Sequence, residues 1–217
     1  DTRIILDGGA NQKVDFDQIE DALSKANEND IFITQLENNL DAVIKGLELA
    51  KEKGLVTIFN PAPATNLKKA IYRNVDYLIV NESECEILTG IKPTNEDNAL
   101  KAYQYLKKYG LKALIITLGK RGSMCFKNKD FYRIKAHKVE AVDTTAAGDT
   151  FVGAFASQLL KGIELKDALS YASVTSALTC LKKGAQQAIP TAKEVKQYLS
   201  SENFLTEIPD FVIRDYN

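Results

Sequence analysis

Residues 142–155 read VDTTAAGDTFVGAF, and the order of residue types in this run could support chemistry. The polar Asp143-Thr144-Thr145 is followed by three small residues, Ala146, Ala147 and Gly148, and then by a carboxylate, Asp149, heading an apolar stretch. The periodicity makes this a strand leaving into a helix. A helix start leaves backbone N–H groups unpaired and carries partial positive charge. Small residues just ahead of it let a phosphate come close, so Ala146, Ala147 and Gly148 read as an anion hole. Asp149, in the first turn, has two readings. It is a helix cap, or it is a general base that takes the proton of an alcohol as that alcohol attacks phosphorus. Neither GxGxxG nor GxxxxGK[ST] occurs, which speaks against a dinucleotide fingerprint and a Walker-type loop.

The elements that must hold this loop alternate along the chain. DIFITQLE (30–37) reads as a strand and LDAVIKGLELAKEKG (40–54) as a helix stopped at Gly54. LVTIFNPAP (55–63) is a buried strand running into a Pro-rich loop, and VDYLIVN (75–81) a further strand followed by the helical ESECEILTG. NEDNALKAYQYLKKYG (95–110) is a helix with an Asn95 cap and a Gly110 stop, and KALIITLG (112–119) a strand. Such alternation predicts an α/β fold, a mostly parallel sheet with helices on both faces. Between 123 and 145 three short strands, SMCFKN, DFYRIKA and VEAVDTT, predict an antiparallel edge with a turn at Asn128-Lys129-Asp130. Helices follow at 148–161, 165–183 and 191–201. Residues Thr2 to Leu6 read as a strand and DGGAN (7–11) as a turn; the last stretch, from Asn203, has no clear period.

Composition narrows the class. The 217 residues suit one large domain or two small ones. Lys+Arg is 28 against Asp+Glu 29, so no basic excess points to nucleic acid or an anionic membrane. No apolar run reaches the roughly 20 residues of a membrane span. Cys85, Cys125 and Cys180 are sparse, odd in number and without CxxC spacing, which suits reduced thiols in the cytoplasm. The sole histidine, His137, lies between predicted strands and has no second ligand to make a metal site.

DTTAAGDTFVGAF resembles the signature of the ribokinase-like family of carbohydrate kinases. QLE (35–37), NPAPA (60–64), NESE (81–84), TLGKRG (117–122) and KKGAQQAIP (182–190) match further motifs in the same order. The resemblance runs from residue 1 to about 202 and leaves 203–217 as an uncovered tail. NPAPA with DTTAAGD is closer to the ribokinase branch than to the fructokinase or adenosine kinase branches. Family members carry a first strand, two sugar motifs and a β-sheet lid ahead of this region. None is found in this sequence, so the resemblance reads the chain as the C-terminal part of a longer enzyme.

The resemblance implies ATP-dependent phosphorylation of a small sugar, ribose to ribose 5-phosphate, with Asp149 as base. It places Asn81, Thr117, Gly119, Gly122, Gly148 and Ser173 at ATP and Glu37 at the sugar. It implies Mg²⁺ with ATP, held by Glu84 through water, since Mg²⁺ keeps several waters and few protein ligands. It implies K⁺ beside Asp143, Thr145, Thr179, Lys182 and Gly184, with one hydroxyl ligand lost because Ala188 stands where Ser is common. A dimer of the full-length enzyme also follows from it. Read without the resemblance, Asn81 and Glu84 are a helix cap, Glu37 a strand end, and the glycines turn residues. Another sugar or nucleoside kinase of the family remains an alternative, as does a nucleotide-binding fragment without catalysis.

Overall fold

The computed structural model of the protein describes residues 7–201 and the strand 212–215, so the expected strand at Thr2 to Leu6 lies outside the described residues. The chain divides into two compact units, Asp1–Leu114 and Ile115–Asn217. In the first, β1 (Ile31–Thr34), β2 (Val56–Phe59) and β3 (Tyr77–Asn81) pair in parallel, Ile31 opposite Val56 and Ile58 opposite Tyr77. Neighbouring strand residues point to opposite faces. Leu78, Ile79 and Val80 are nevertheless all at most 2% exposed, so β3 is covered on both sides as a parallel strand requires.

The helices of this unit follow their sequence signals. Helix α2 (Leu40–Glu52) is capped by Asn39, whose Oδ1 accepts from Asp41 and Ala42 N–H, and buries Val43, Leu47 and Ala50. Helix α3 (Glu82–Thr89) ends at Gly90 in the left-handed region, and α4 (Glu96–Lys107) starts at Asn95, which accepts from Asn98 N–H. Helix α1 (Phe16–Ser24) was not expected; its signal was the Asp15–Gln18 capping box, with Ile19 and Leu23 on one face. The expected strand 30–37 is shorter. It stops at Thr34, and Leu36 N–H turns away to the Ala62 carbonyl.

Strand β4 (Ala113–Thr117) leads into the second unit, where β5 (Ser123–Lys127) and β6 (Asp130–Ile134) form the predicted hairpin. Its two-residue turn has Asn128 at φ 59°, a left-handed conformation that asparagine tolerates. The third edge strand is not VEAVDTT. Val142 and Asp143 N–H both donate to the Cys180 carbonyl instead of to a ladder. The strand beside β6 is β7 (Val212–Asp215), with Asp130 opposite Asp215. Helices α5 (Ala147–Leu160), α6 (Leu165–Thr179) and α7 (Ala192–Leu199) complete the unit. Helix α6 ends four residues before the expected 183, where Gly184, at φ 102°, donates its N–H to Asp143 Oδ2. No helix among the described residues is long and apolar enough to cross a membrane.

Candidate active site

In the second unit, a cavity of about 550 Å³ opens between the end of β4, the segment following β6, and helices α5 and α6. Thr117, Gly119, Gly122, Gly148 and Ser173, five of the six residues expected at a nucleotide, line it together. Asn81, the sixth, belongs to the first unit. The sequence did not assign Lys120, His137, Lys138, Ser176 or Cys180, which also line the cavity. Nothing in the local sequence of Lys120 distinguishes it from an ordinary surface charge.

The lining contains two lysines and no carboxylate, a charge balance that favours an anion. The loop Leu118–Gly122 is tight: Leu118 N–H donates to the Gly122 carbonyl and Gly122 N–H to Gly119. A Cβ on Gly122 would collide with the Ile134 carbonyl and the Ala136 amide, so only glycine fits there.

The first turn of α5 faces this cavity through Ala147 and Gly148. Its N-cap, Ala146, has φ 60° and offers no capping side chain. A non-glycine residue in this region is strained, and such outliers cluster at functional sites. The helical ladder begins with Thr150 N–H to the Ala146 carbonyl, which places the Gly148 N–H ahead of it. A Cβ at Gly148 would meet nothing within 4 Å, so this surface is open to a ligand. Ser176 Oγ, donating to the Ala147 carbonyl at 2.8 Å, ties this turn to α6, and Thr179 Oγ1 meets Thr150 Oγ1 at 3.1 Å. Asp149 is exposed in the same first turn.

Asp143 organises the approach to the helix. Its Oδ1 accepts from Thr145 N–H and Oγ1, and its Oδ2 from Gly184 N–H. The Gly184 amide first, then the Thr145 hydroxyl and amide, hold its carboxyl at about 2. Asp143, Thr145 and Gly184, three of the five residues expected around K⁺, are thus joined by hydrogen bonds. Lys182 sends its ammonium to Glu194 at 3.0 Å, and Thr179 is fully buried with its hydroxyl spent on Thr150 and the Thr175 carbonyl. Lys182 and Thr179 can therefore offer only backbone oxygen. The remaining donors are all hard oxygens, which suit K⁺.

In the first unit, Asn81 and Glu84 form a reciprocal capping box: Glu84 Oε2 accepts from Asn81 N–H at 2.8 Å and Asn81 Oδ1 from Glu84 N–H at 2.9 Å. Burial pushes the Glu84 carboxyl up, and the Asn81 amide opposes it. Glu84 Oε1 is outside the box, so a water-mediated Mg²⁺ contact fits the donor chemistry. No cluster of three acidic, histidine or cysteine residues among the described residues could cage a metal. Glu37 lies in a bend beyond β1 and not at its end.

A model of the pfkB family of carbohydrate kinases matches residues 1–192. This chain belongs to that family. The α/β class of the fold agrees with that membership. A ribokinase of Staphylococcus aureus is 40% identical over 195 residues, covering 89% of this chain and 64% of that protein. The ribokinase structure from Thermotoga maritima matches with 34% identity and a TM-score of 0.81, over 92% of this chain and 65% of its own. The Arabidopsis thaliana ribokinase complexed with ribose and ATP matches at 28% identity with a TM-score of 0.83, over 92% of this chain and 65% of its own. The chain spans about 64% of the length of the Staphylococcus aureus and Haemophilus influenzae ribokinases that it matches.

Proposed function

We propose that the protein transfers the γ-phosphoryl group of ATP to a hydroxyl of ribose, giving ribose 5-phosphate and ADP. One observation carries the reading. Five of the six residues expected at a nucleotide line a single cavity that holds two lysines, no carboxylate and the open first turn of α5. The family and the Arabidopsis thaliana relative, complexed with ribose and ATP, support the two substrates. Three free thiols fit a cytoplasmic enzyme.

On this reading ATP occupies the cavity with its phosphates toward Ala147 and Gly148. The Asp149 carboxylate takes the proton of the sugar hydroxyl as its oxygen forms a bond to the γ-phosphorus. The bond from that phosphorus to the β-phosphate oxygen breaks, and ADP leaves with the electron pair. Charge on the transferred group faces the N–H groups of the Ala146–Asp149 turn. Asn81 and Glu84 attend the phosphates and the magnesium ion, which supplies charge neutralisation when bound. Glu37 accepts hydrogen bonds from sugar hydroxyls. Asp143, Thr145 and the backbone of Thr179, Lys182 and Gly184 would hold a potassium ion, which would supply positive charge beside the anion loop.

The test is Asp149→Asn in the full-length kinase. Asparagine keeps the size and most of the capping ability but cannot accept the proton. Turnover should fall by about 10²–10⁴-fold, with ATP affinity and melting temperature nearly unchanged. Near-normal turnover in a destabilised variant would return Asp149 to a capping role.

A further inference from the structure

The wall of the cavity formed by Ala136, His137, Lys138 and Val139 belongs to no helix or strand; residues 135–146 enter no ladder. A wall of this kind must be fixed by side chains. On one flank the close approach of Gly122 pins the Ile134–Ala136 backbone. On the other, His137 is 8% exposed and its Nε2 hydrogen-bonds the Tyr198 hydroxyl, the two rings meeting edge to face at 5.2 Å and 85°. Tyr198 is on α7, packed against the core of Val174, Leu178 and Val195. No residue of α7 lines the cavity itself.

We propose that Tyr198 is a positioning residue for this cavity: by anchoring His137 it fixes the wall, and thereby lets a helix outside the cavity set nucleotide affinity. The inference rests on the reading of the cavity as the nucleotide site. Its physical basis is that a largely buried imidazole and a half-buried phenol each need a polar partner, and here they satisfy one another. The anchor also fixes Lys138, the next residue along and one of the two cations of the lining. Were the imidazole released, the wall and its ammonium would sample other positions and the cavity would lose preorganisation.

The experiment is a double-mutant cycle with Tyr198→Phe, His137→Phe and both together, read by calorimetric titration with Mg·ATP and by melting without nucleotide. Tyr198→Phe keeps the ring and its edge contact and removes only the hydroxyl. ATP binding should weaken about three- to tenfold, the range of a net hydrogen bond. The nucleotide-free melting temperature should move by less than about 4 °C. The double variant should bind ATP no more weakly than His137→Phe alone, because the two groups act as a unit. In the full-length kinase the KM for ATP should rise with kcat unchanged. Unchanged ATP affinity in Tyr198→Phe, or additive effects in the cycle, would overturn the inference while leaving the nucleotide reading intact. A wild-type protein that is folded yet binds no ATP would overturn both.

Discussion

Asp76 offers a quantitative test of what holds the first unit together. Its side chain is 9% exposed and accepts from Thr57 N–H at 2.9 Å, from Thr57 Oγ1 at 3.1 Å, from Lys51 Nζ at 2.8 Å and from Lys112 Nζ at 2.7 Å. Asp76→Ala leaves the buried Thr57 N–H without this acceptor, which costs about 1–3 kcal/mol. The lysine side chains are 25% and 57% exposed, so each returns to water and its lost pairing is worth only about 0.5 kcal/mol. The sum is about 3 kcal/mol, at the lower edge of the range for breaking a fully buried pair. For a chain of this size that is a fall of about 6–12 °C in melting temperature. Asp76→Asn keeps a carbonyl for Thr57 and should lose less.

The sign of the pH dependence follows from the same contacts. Burial raises the Asp76 carboxyl, but Lys112, Lys51 and the Thr57 amide outweigh it, and the group ends below its ordinary value. Its contribution is therefore complete above the unfolded pKa of about 3.9 and is lost as pH falls through the folded value. Urea unfolding followed by tyrosine emission, in a chain with nine Tyr and no Trp, measures both variants at neutral and acid pH. The deficit of Asp76→Ala should shrink in acid. A neutral-pH loss below about 0.5 kcal/mol, or an equal loss at both pH values, would refute the reasoning.

Two further outcomes are expected. Gly122→Ala must place a Cβ into the Ile134 carbonyl at φ 83°, so it should lose more than about 2 kcal/mol and weaken ATP binding; a melting temperature equal to wild type would refute the tight loop. In the full-length kinase K⁺ should raise turnover above that in tetramethylammonium at matched ionic strength, and Asp143→Ala, which frees the Gly184 amide, should abolish the difference; equal wild-type rates in the two salts would refute the cation site.

Local physics made much of this molecule legible. The spacing of Val43, Leu47 and Ala50 marked α2, Asn95 marked the start of α4, and Asn128-Lys129 marked the hairpin, because each signal acts over a few neighbouring residues. Thr117, Gly119, Gly122 and Gly148, which lie in ordered motifs, share one cavity with Ser173, which the resemblance placed on α6. What stayed hidden depends on long-range partners. VEAVDTT has the alternation of a strand, but the Cys180 carbonyl takes two of its amides. Helix α6 has the period to continue, but Asp143 captures Gly184. Nothing near His137 in the sequence points to Tyr198, a hydrogen-bond partner 61 residues away.

Strand β7 gives the second unit an order of assembly. It lies beside β6, antiparallel, with α5, α6 and α7 between the two in the chain. The pairing therefore closes a long loop, a contact of the kind that forms late. During synthesis, at about 5–20 residues per second, the β5–β6 hairpin is complete well before β7 exists. For that interval β6 presents an open row of backbone donors and acceptors, the surface on which unfinished chains pair with one another. The yield of folded protein from the ribosome thus depends on how fast the chain covers that edge. A slower passage through 135–211 would lengthen the exposure without altering the finished fold.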